Sequence, residues 1–375
     1  MSRRPSPSRR PWVAAVASAV VLGLVSTTNA GAQPQAAPAA AADQQQGDRW
    51  PSPLWERDNS RTGAATVGAN RGEPFVGIDG VTYDAAPVTS QGLNGTLFFG
   101  EEFDRACGDG DAFDQGLRNL AKLARVIQKS GRKVYFTVAP NKSAVNKGDL
   151  KAVDFPHGSC DRQGLRRQDA ALDSLRDRNY VPLRKPLAKL AKDGRRLYWQ
   201  VDTHWTTVGN TRWAEALAGR LDPAIRDRQT YRGGRRTITP DIATLIGQPD
   251  LKETAPARFT TTKVRVRTAP GSDGYDPIIP VAVDHSWITK PKKRAYPGRT
   301  LVIGDSFSYV ALESVRPLFR RGRFLWIGQL SLDTIIDAIP KYDTVVIEVV
   351  QRFLSKSVMT LGSTRRSVRE ALKAS

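Results

Sequence analysis

Arg299-Thr300-Leu301-Val302-Ile303-Gly304-Asp305-Ser306 runs from a short apolar, β-branched stretch into a glycine turn, with a helix expected to start near Tyr309. That is the pattern of a buried parallel strand whose carboxyl end presents a side chain, the place where open α/β folds bind ligands. Similar runs occur at Val134 to Val138, Leu197 to Val201, Phe324 to Ile327 and Val345 to Val350. Amphipathic stretches fall between them. Phe113 to Lys129 sets Leu117, Leu120, Leu123, Val126 and Ile127 on one face, and Leu165 to Leu175, Leu183 to Leu190 and Thr206 to Leu221 behave alike. Strand and helix in alternation predict a doubly wound, three-layer α/β/α sandwich around a mainly parallel sheet. Residues 230–295 differ, being rich in Thr, Pro, Gly and Arg, with Phe259 to Val266 alternating like an exposed antiparallel strand. We read them as an irregular, partly β insertion in one domain spanning 61–375.

The amino terminus reads as an export signal over residues 1–32. Arg3, Arg4, Arg9 and Arg10 form a charged region, Trp12 to Val25 an apolar run of 14 residues, and Ala30-Gly31-Ala32 a small-residue cleavage site. The run is shorter than the about 20 residues of a bilayer span. Cleavage or retention as a membrane tether are both open. Residues 33–60, rich in Ala, Gln and Pro, read as a flexible linker. The expected location is therefore extracytoplasmic: periplasm, cell envelope or medium.

The formal net charge is +20, and +16 once the four amino-terminal arginines are removed. A surplus of this sign suits an anionic partner such as an acidic polysaccharide, wall polymer or lipid surface. Basic clusters lie at Arg195-Arg196, Arg232 to Arg236, Lys290 to Arg294 and Arg320 to Arg323, each with a plainer reading as solvated surface. Nucleic acid is a poor fit, because no recognition motif accompanies the charge. Two cysteines, Cys107 and Cys160, suggest one disulfide in an exported chain. His157-Gly158-Ser159-Cys160 has too few soft ligands around it to argue for zinc, so no metal and no cofactor is expected.

The chemistry concentrates in two tetrapeptides, Asp202-Thr203-His204-Trp205 and Gly304-Asp305-Ser306-Phe307. A serine hydroxyl needs an imidazole to take its proton and a carboxylate to hold that imidazole in the right tautomer. Ser306, His204 and Asp202 supply these parts, and Trp205 would wall the pocket. Taken singly, each has a bland alternative. Gly-Asp-Ser is a common turn in which Asp305 caps a helix, and a histidine before Thr206-Thr207 suits a capping arrangement. The combination carries the catalytic reading.

The combination also resembles a family. Asp202-Thr-His-Trp-Thr-Thr-Val-Gly-Asn210, followed by Ala214, looks like the Asp/His block of the SGNH (GDSL-type) hydrolases, and Leu301 to Ser308 looks like their serine block. Here the serine follows the histidine, an order that resembles the alginate O-acetyltransferase AlgX/AlgJ-like family. Asn94 to Gly100 (with Thr96 where that family has Trp), Val138 to Lys142, Asp241 to Gly247 and Tyr342 to Glu348 resemble further segments of it, in order. The resemblance covers roughly Asn94 to Leu354. It implies an SGNH hydrolase-like fold with permuted motif order.

The resemblance further implies an extracytoplasmic O-acetyltransferase that moves an acetyl group through Ser306 to hydroxyls of an exopolysaccharide or cell-wall polymer. A membrane-bound O-acyltransferase would supply the acetyl group. A carbohydrate acetylesterase and a non-catalytic polysaccharide-binding or assembly protein are the alternatives. For the oxyanion, Ser306 N–H and Gly328, after Phe324 to Ile327, fall where donors belong. The usual Asn does not follow the last strand, where Gln351 and Arg352 stand. Either of these, or Asn141 from the neighbouring strand, is a candidate third donor. Arg352 has a second role open to it as a clamp for a uronate carboxylate. Lys142 shares that ambiguity, with a solvated loop lysine as its default.

Overall fold

All seven residues of Thr344–Val350 are buried, as befits a strand covered on both faces. It lies inside a six-stranded sheet that organises the described residues of this computed structural model, namely 75–76, 82–83, 89–268, 283–290 and 295–375. The expected signal (1–32) and linker (33–60) lie outside them. So do 269–282 and 291–294 of the expected insertion.

In chain order, two short antiparallel pairs come first: β1 (Phe75–Val76) with β2 (Thr82–Tyr83), and β3 (Thr89–Gln91) with β4 (Leu97–Phe99). Helices α1 (Glu101–Gly108) and α2 (Asp111–Lys129) lead into β5 (Lys133–Ala139). There follow α3 (Lys142–Val145), α4 (Ser159–Ser174), α5 (Arg184–Lys192), α6 (Thr207–Leu221) and α7 (Pro223–Asp227). Next come β6 (Tyr231–Ile238), α8 (Asp241–Leu245), β7 (Glu253–Thr260), β8 (Lys263–Thr268) and β9 (Asp284–Lys290). The chain closes with β10 (Tyr296–Gly304), α9 (Ser306–Val315), β11 (Phe319–Trp326), α10 (Leu332–Ala338), β12 (Thr344–Val350) and α11 (Gly362–Lys373).

The sheet order is β5-β12-β10-β11-β9-β8. The first four strands run parallel, and β9 and β8 extend the sheet antiparallel. Successive side chains point to opposite faces. Val302, Phe324, Trp326 and Val346 therefore meet Trp213 and Leu217 of α6 and Ala311 of α9, whereas Leu301, Leu325, Val345 and Ile347 meet α2, α10 and α11. Each such side chain contributes about 1.5–3 kcal/mol when fully buried. The result is the expected α/β/α sandwich, with its parallel strands ending on one side.

Three local expectations differ. Leu197 to Val201 is not a strand of the sheet but folds back on the next five residues: Thr206 N–H donates to the Leu197 carbonyl (2.8 Å) and Trp199 N–H to that of His204 (3.1 Å). The run is apolar because helices cover it, not because the sheet pairs with it. Helix α9 starts at Ser306 rather than near Tyr309, since the Asp305 carboxylate caps it by accepting from Phe307 N–H. The strand expected over Phe259 to Val266 is broken where Thr262 N–H turns to Thr260 Oγ1 (3.1 Å), so β7 pairs with β6 and β8 joins the sheet.

Cys107 and Cys160, 53 residues apart, form a disulfide that ties the end of α1 to the start of α4. Closing a loop of that size stabilises by about 2–4 kcal/mol. A Cys107→Ser/Cys160→Ser double variant is expected to unfold at a Tm several degrees lower in thermal scans. Its activity at low temperature should be kept, since the two sulfurs bond each other and take no part in the hydrogen bonds of Asp202, His204 and Ser306. Among the described residues no helix is long and apolar enough to cross a membrane.

Candidate active site

Ser306 is the first residue of α9, at the carboxyl end of β10. The turn that presents it needs glycine at 304, where a Cβ would stand 2.0 Å from Ser308 Oγ and 3.0 Å from a Glu348 oxygen. Ser308 donates to buried Glu348 through its amide (3.1 Å) and hydroxyl (2.8 Å). Asp305 accepts from Phe307 N–H (2.9 Å) and from Val350 N–H (2.7 Å), locking the turn to the end of β12. Burial, and then the negative charge of Asp305, push Glu348 well above the usual carboxylate range.

His204 arrives from the hairpin 197–206. Gly209 allows α6 to close on that hairpin, because a Cβ there would meet the Leu197 carbonyl at 2.2 Å. Trp205 stacks on Trp213 and donates Nε1–H to the Phe307 carbonyl (3.1 Å). The hairpin is thereby fastened to the serine turn. His204 Nε2 lies 2.9 Å from Ser306 Oγ, although the two residues are 102 apart in sequence. Its Nδ1 lies 2.9 Å from Asp202 Oδ1, which also accepts from His204 N–H (2.8 Å). All three residues are over nine-tenths buried, with Ser306 6% exposed.

Sequence reasoning did not mark Asp241 as a site residue. Its Oδ2 lies 3.4 Å from His204 Nδ1, its backbone N–H donates to Asp202 Oδ2 (2.8 Å), and its carboxylate takes the Thr203 amide (2.7 Å) and hydroxyl (2.5 Å). The segment Asp241 to Gly247 was the only signal available. Burial opposes the charged form of all three groups. Against it, the charge and hydrogen bonds of His204 hold Asp202 below the usual carboxylate range, and the carboxylates hold His204 above the usual imidazole value. Asp241, buried and beside the Asp202 charge, is pushed up to about 6. The ligating atoms of Asp202, His204 and Asp241 are close enough to hold a metal ion. Their oxygens, however, already accept from Thr203, His204, Asp241 and Ile242, so a metal would have to break that set.

The other sequence candidates separate into those near open chemistry and those spent on structure. Arg352, 3% exposed, places its guanidinium 5.0–5.4 Å from the Phe99, Phe307 and Phe353 rings, and its Nε and Nη1 have no hydrogen-bond partner. Asn141 accepts from Arg352 N–H (3.2 Å) and leaves its Nδ2 unpartnered. Gln351 is a latch, accepting from Asn141 N–H (3.1 Å) and donating to Gln168 (3.0 Å). Gly328 follows β11 at φ 88° and is exposed, next to Ile327, whose N–H reaches the Gly304 carbonyl.

Lys142 corrects an expectation. It is not a solvated loop lysine but wholly buried, donating to the Leu97 (2.7 Å) and Gln200 (3.1 Å) carbonyls, with its pKa lowered by burial. The basic clusters are also partly spent, as Arg196 pairs with Glu253, Arg236 with Glu313 and Arg323 with Asp284. A cleft of about 360 Å³ borders the Asp202–His204–Asp241 side, between Trp199, Tyr309, Arg236 and Arg316. A larger one of about 590 Å³, by Tyr180, Arg184 and Arg220, is lined by no serine, cysteine or histidine.

The solved structures this chain is similar to include the O-acetyltransferase domain of Pseudomonas putida AlgJ (15% identity, 76% of this chain and 99% of that one, TM-score 0.46). Bacillus cereus PatB1 (12%, 71% and 96%, TM-score 0.49) and Pseudomonas aeruginosa AlgX (12%, 76% and 66%, TM-score 0.43) are similar as well. No curated protein sequence matches the chain significantly. The family model described as "SGNH hydrolase-like domain, acetyltransferase AlgX" matches residues 90–278, which is 189 of the 375 residues. The chain belongs to that AlgX family of SGNH hydrolase-like acetyltransferases.

Proposed function

We propose that this protein is a serine-dependent O-acetyltransferase that works outside the cytoplasm on hydroxyls of a carbohydrate polymer. The observation that carries the reading is the unbroken line Ser306 Oγ, His204 Nε2, His204 Nδ1, Asp202 Oδ1, with 2.9 Å at each hydrogen bond. His204 takes the Ser306 proton as Oγ attacks the acetyl carbonyl. The tetrahedral adduct collapses, the donor's oxygen or sulfur leaves with that proton, and acetyl-Ser306 remains. His204 then takes a proton from a sugar hydroxyl as its oxygen attacks the acetyl carbonyl; the bond from that carbon to Ser306 Oγ breaks, His204 returns the proton to Oγ, and the sugar carries the acetyl group away. The disulfide and the amino-terminal signal pattern support an oxidising, exported setting. A membrane-bound O-acyltransferase is the proposed acetyl supplier.

The oxyanion has three proposed donors. Ser306 N–H, at the start of a ten-residue helix, has no partner within the helix and sits at its positive end. Asn141 Nδ2 and the Arg352 guanidinium are the buried, unpartnered donors at the ends of β5 and β12. Arg352→Met is expected to lower kcat by about 10²–10³ with little change in KM, as loss of one such donor does. Steady-state kinetics on an acetyl ester checks it.

The test of the whole reading uses purified protein, a chromogenic acetyl ester and an oligosaccharide acceptor. An acetyl adduct on the Ser306 peptide and acetylated oligosaccharide, both read by mass spectrometry, are the expected results. Acetate release indifferent to acceptor would assign an esterase instead. No adduct and no turnover would sink acyl transfer and leave polymer binding.

A further inference from the structure

We propose that Asp241 is a positioning residue that fixes the tautomer of His204 by occupying the Thr203 hydroxyl. The inference rests on the acyl-transfer reading of the site, and goes beyond the Asp202–His204–Ser306 set.

For His204 Nε2 to accept the Ser306 proton, the imidazole proton must sit on Nδ1. Two groups other than Asp202 stand at Nδ1. Thr203 Oγ1 is 3.2 Å away and Asp241 Oδ2 is 3.4 Å away. A hydroxyl beside Nδ1 is a hazard to the base, because a hydroxyl can donate as well as accept. Were Thr203 to donate to Nδ1, it would stabilise the tautomer whose proton faces Ser306.

The geometry prevents this. Thr203 Oγ1 sits 2.5 Å from Asp241 Oδ2, a carboxylate oxygen that can only accept when ionised. The Thr203 proton is thus directed at Asp241, leaving the hydroxyl's lone pairs towards the imidazole. Asp241 itself is pinned by Thr203 N–H (2.7 Å) and Ile242 N–H (2.6 Å) on Oδ1, and its own N–H holds Asp202 Oδ2 (2.8 Å). Nothing in this set needs a ligand. One acid holds Nδ1 directly and the second silences the hydroxyl that would compete with it.

Asp241→Asn is the discriminating change. Its carbonyl would keep the Thr203 and Ile242 amides, so the loop should survive. Its Nδ2 would donate to Thr203 Oγ1, and the Thr203 hydrogen would be freed to turn on Nδ1. The expected result is a kcat at least about tenfold lower at unchanged KM, and lower by no more than the roughly 10²–10⁴ that a positioned base contributes in all. Thr203→Val, which removes the hydroxyl, should recover part of that loss when added to Asp241→Asn. The chain has three histidines, so imidazole ¹⁵N shifts can be assigned. Those of His204 should show Nδ1–H in the native protein and a move towards Nε2–H in Asp241→Asn.

Native kcat and unchanged ¹⁵N shifts in a folded Asp241→Asn, with Ser306→Ala inactive, would overturn the inference and leave acyl transfer standing. A loss that Thr203→Val does not relieve would overturn it too, marking Asp241 as loop scaffolding. An active Ser306→Ala would remove the reading beneath it. If Asp241→Asn melts near room temperature, Thr203→Ser and the ¹⁵N shifts of the native protein decide, since a native Nε2–H tautomer contradicts the proposal outright.

Discussion

Ser306→Ala is expected to lower kcat by about 10⁶, as loss of the nucleophile does in serine enzymes with a preorganised triad. The expectation depends on the turn surviving the change, and the contacts say that it does. The turn is held by Asp305 to the Phe307 and Val350 amides and by Ser308 to Glu348, none of which uses the Ser306 hydroxyl. The melting temperature should therefore stay close to native while turnover vanishes. His204→Ala should lose as much activity but also some stability, because its ring packs 4.9 Å from that of Phe307 and its removal leaves a hole. The double variant should be no worse than either single, since the residues act as one unit. Single-turnover assays with an acetyl ester, beside thermal scans, check all three. Residual native-like turnover in Ser306→Ala would send the nucleophile's role to another residue.

The parts legible in the sequence are those whose physics is local. Leu301 to Ile303 and Val345 to Val350 read as strands because both faces are buried and every position is apolar or β-branched, apart from Glu348. Leu197 to Val201 has the same texture yet forms a hairpin arm, because texture reports burial and not the partner that provides it. The serine and the histidine were legible through their flanking residues, but the 2.9 Å between them comes from strand order and helix packing across 102 residues. Asp241 shows the limit most clearly. It stands 37 positions beyond His204, and only the folding back of 197–206 onto α8 brings it to Nδ1. Lys142 shows the converse: a lysine after a strand looks solvated until its Nζ is found between two carbonyls. Gln351 and Arg352, neighbours in sequence, part company for a similar reason, one amide being consumed by Asn141 and Gln168 while the guanidinium keeps free donors.

Asp202→Ala should cost about 10⁴ in kcat, in line with removal of a triad acid, and the neighbouring bonds indicate that Asp202→Asn should cost less. Asp202 Oδ1 serves two donors, His204 N–H and Nδ1–H, whereas Oδ2 serves one, Asp241 N–H. An asparagine gains more by putting its carbonyl at the Oδ1 position than at Oδ2. It would then still accept from Nδ1–H and keep the right tautomer, unlike a flipped amide, whose wrong tautomer costs about 10⁴. What it loses is the negative charge that stabilises the imidazolium. The pH profile separates the two effects. In the proposed mechanism turnover needs neutral His204, and in the native protein the carboxylates outweigh burial and hold its pKa above the ordinary 6.5, so the acid limb of kcat/KM should lie above that value. Removing the Asp202 charge lets burial prevail, and the limb should move to lower pH even as the plateau falls. A flipped amide would lower the plateau further and give His204 ¹⁵N shifts of the Nε2–H form. An acid limb that stays in place in Asp202→Asn would mean that Asp241, 3.4 Å from Nδ1, supplies the charge His204 responds to, and the order of the two acids would be reversed.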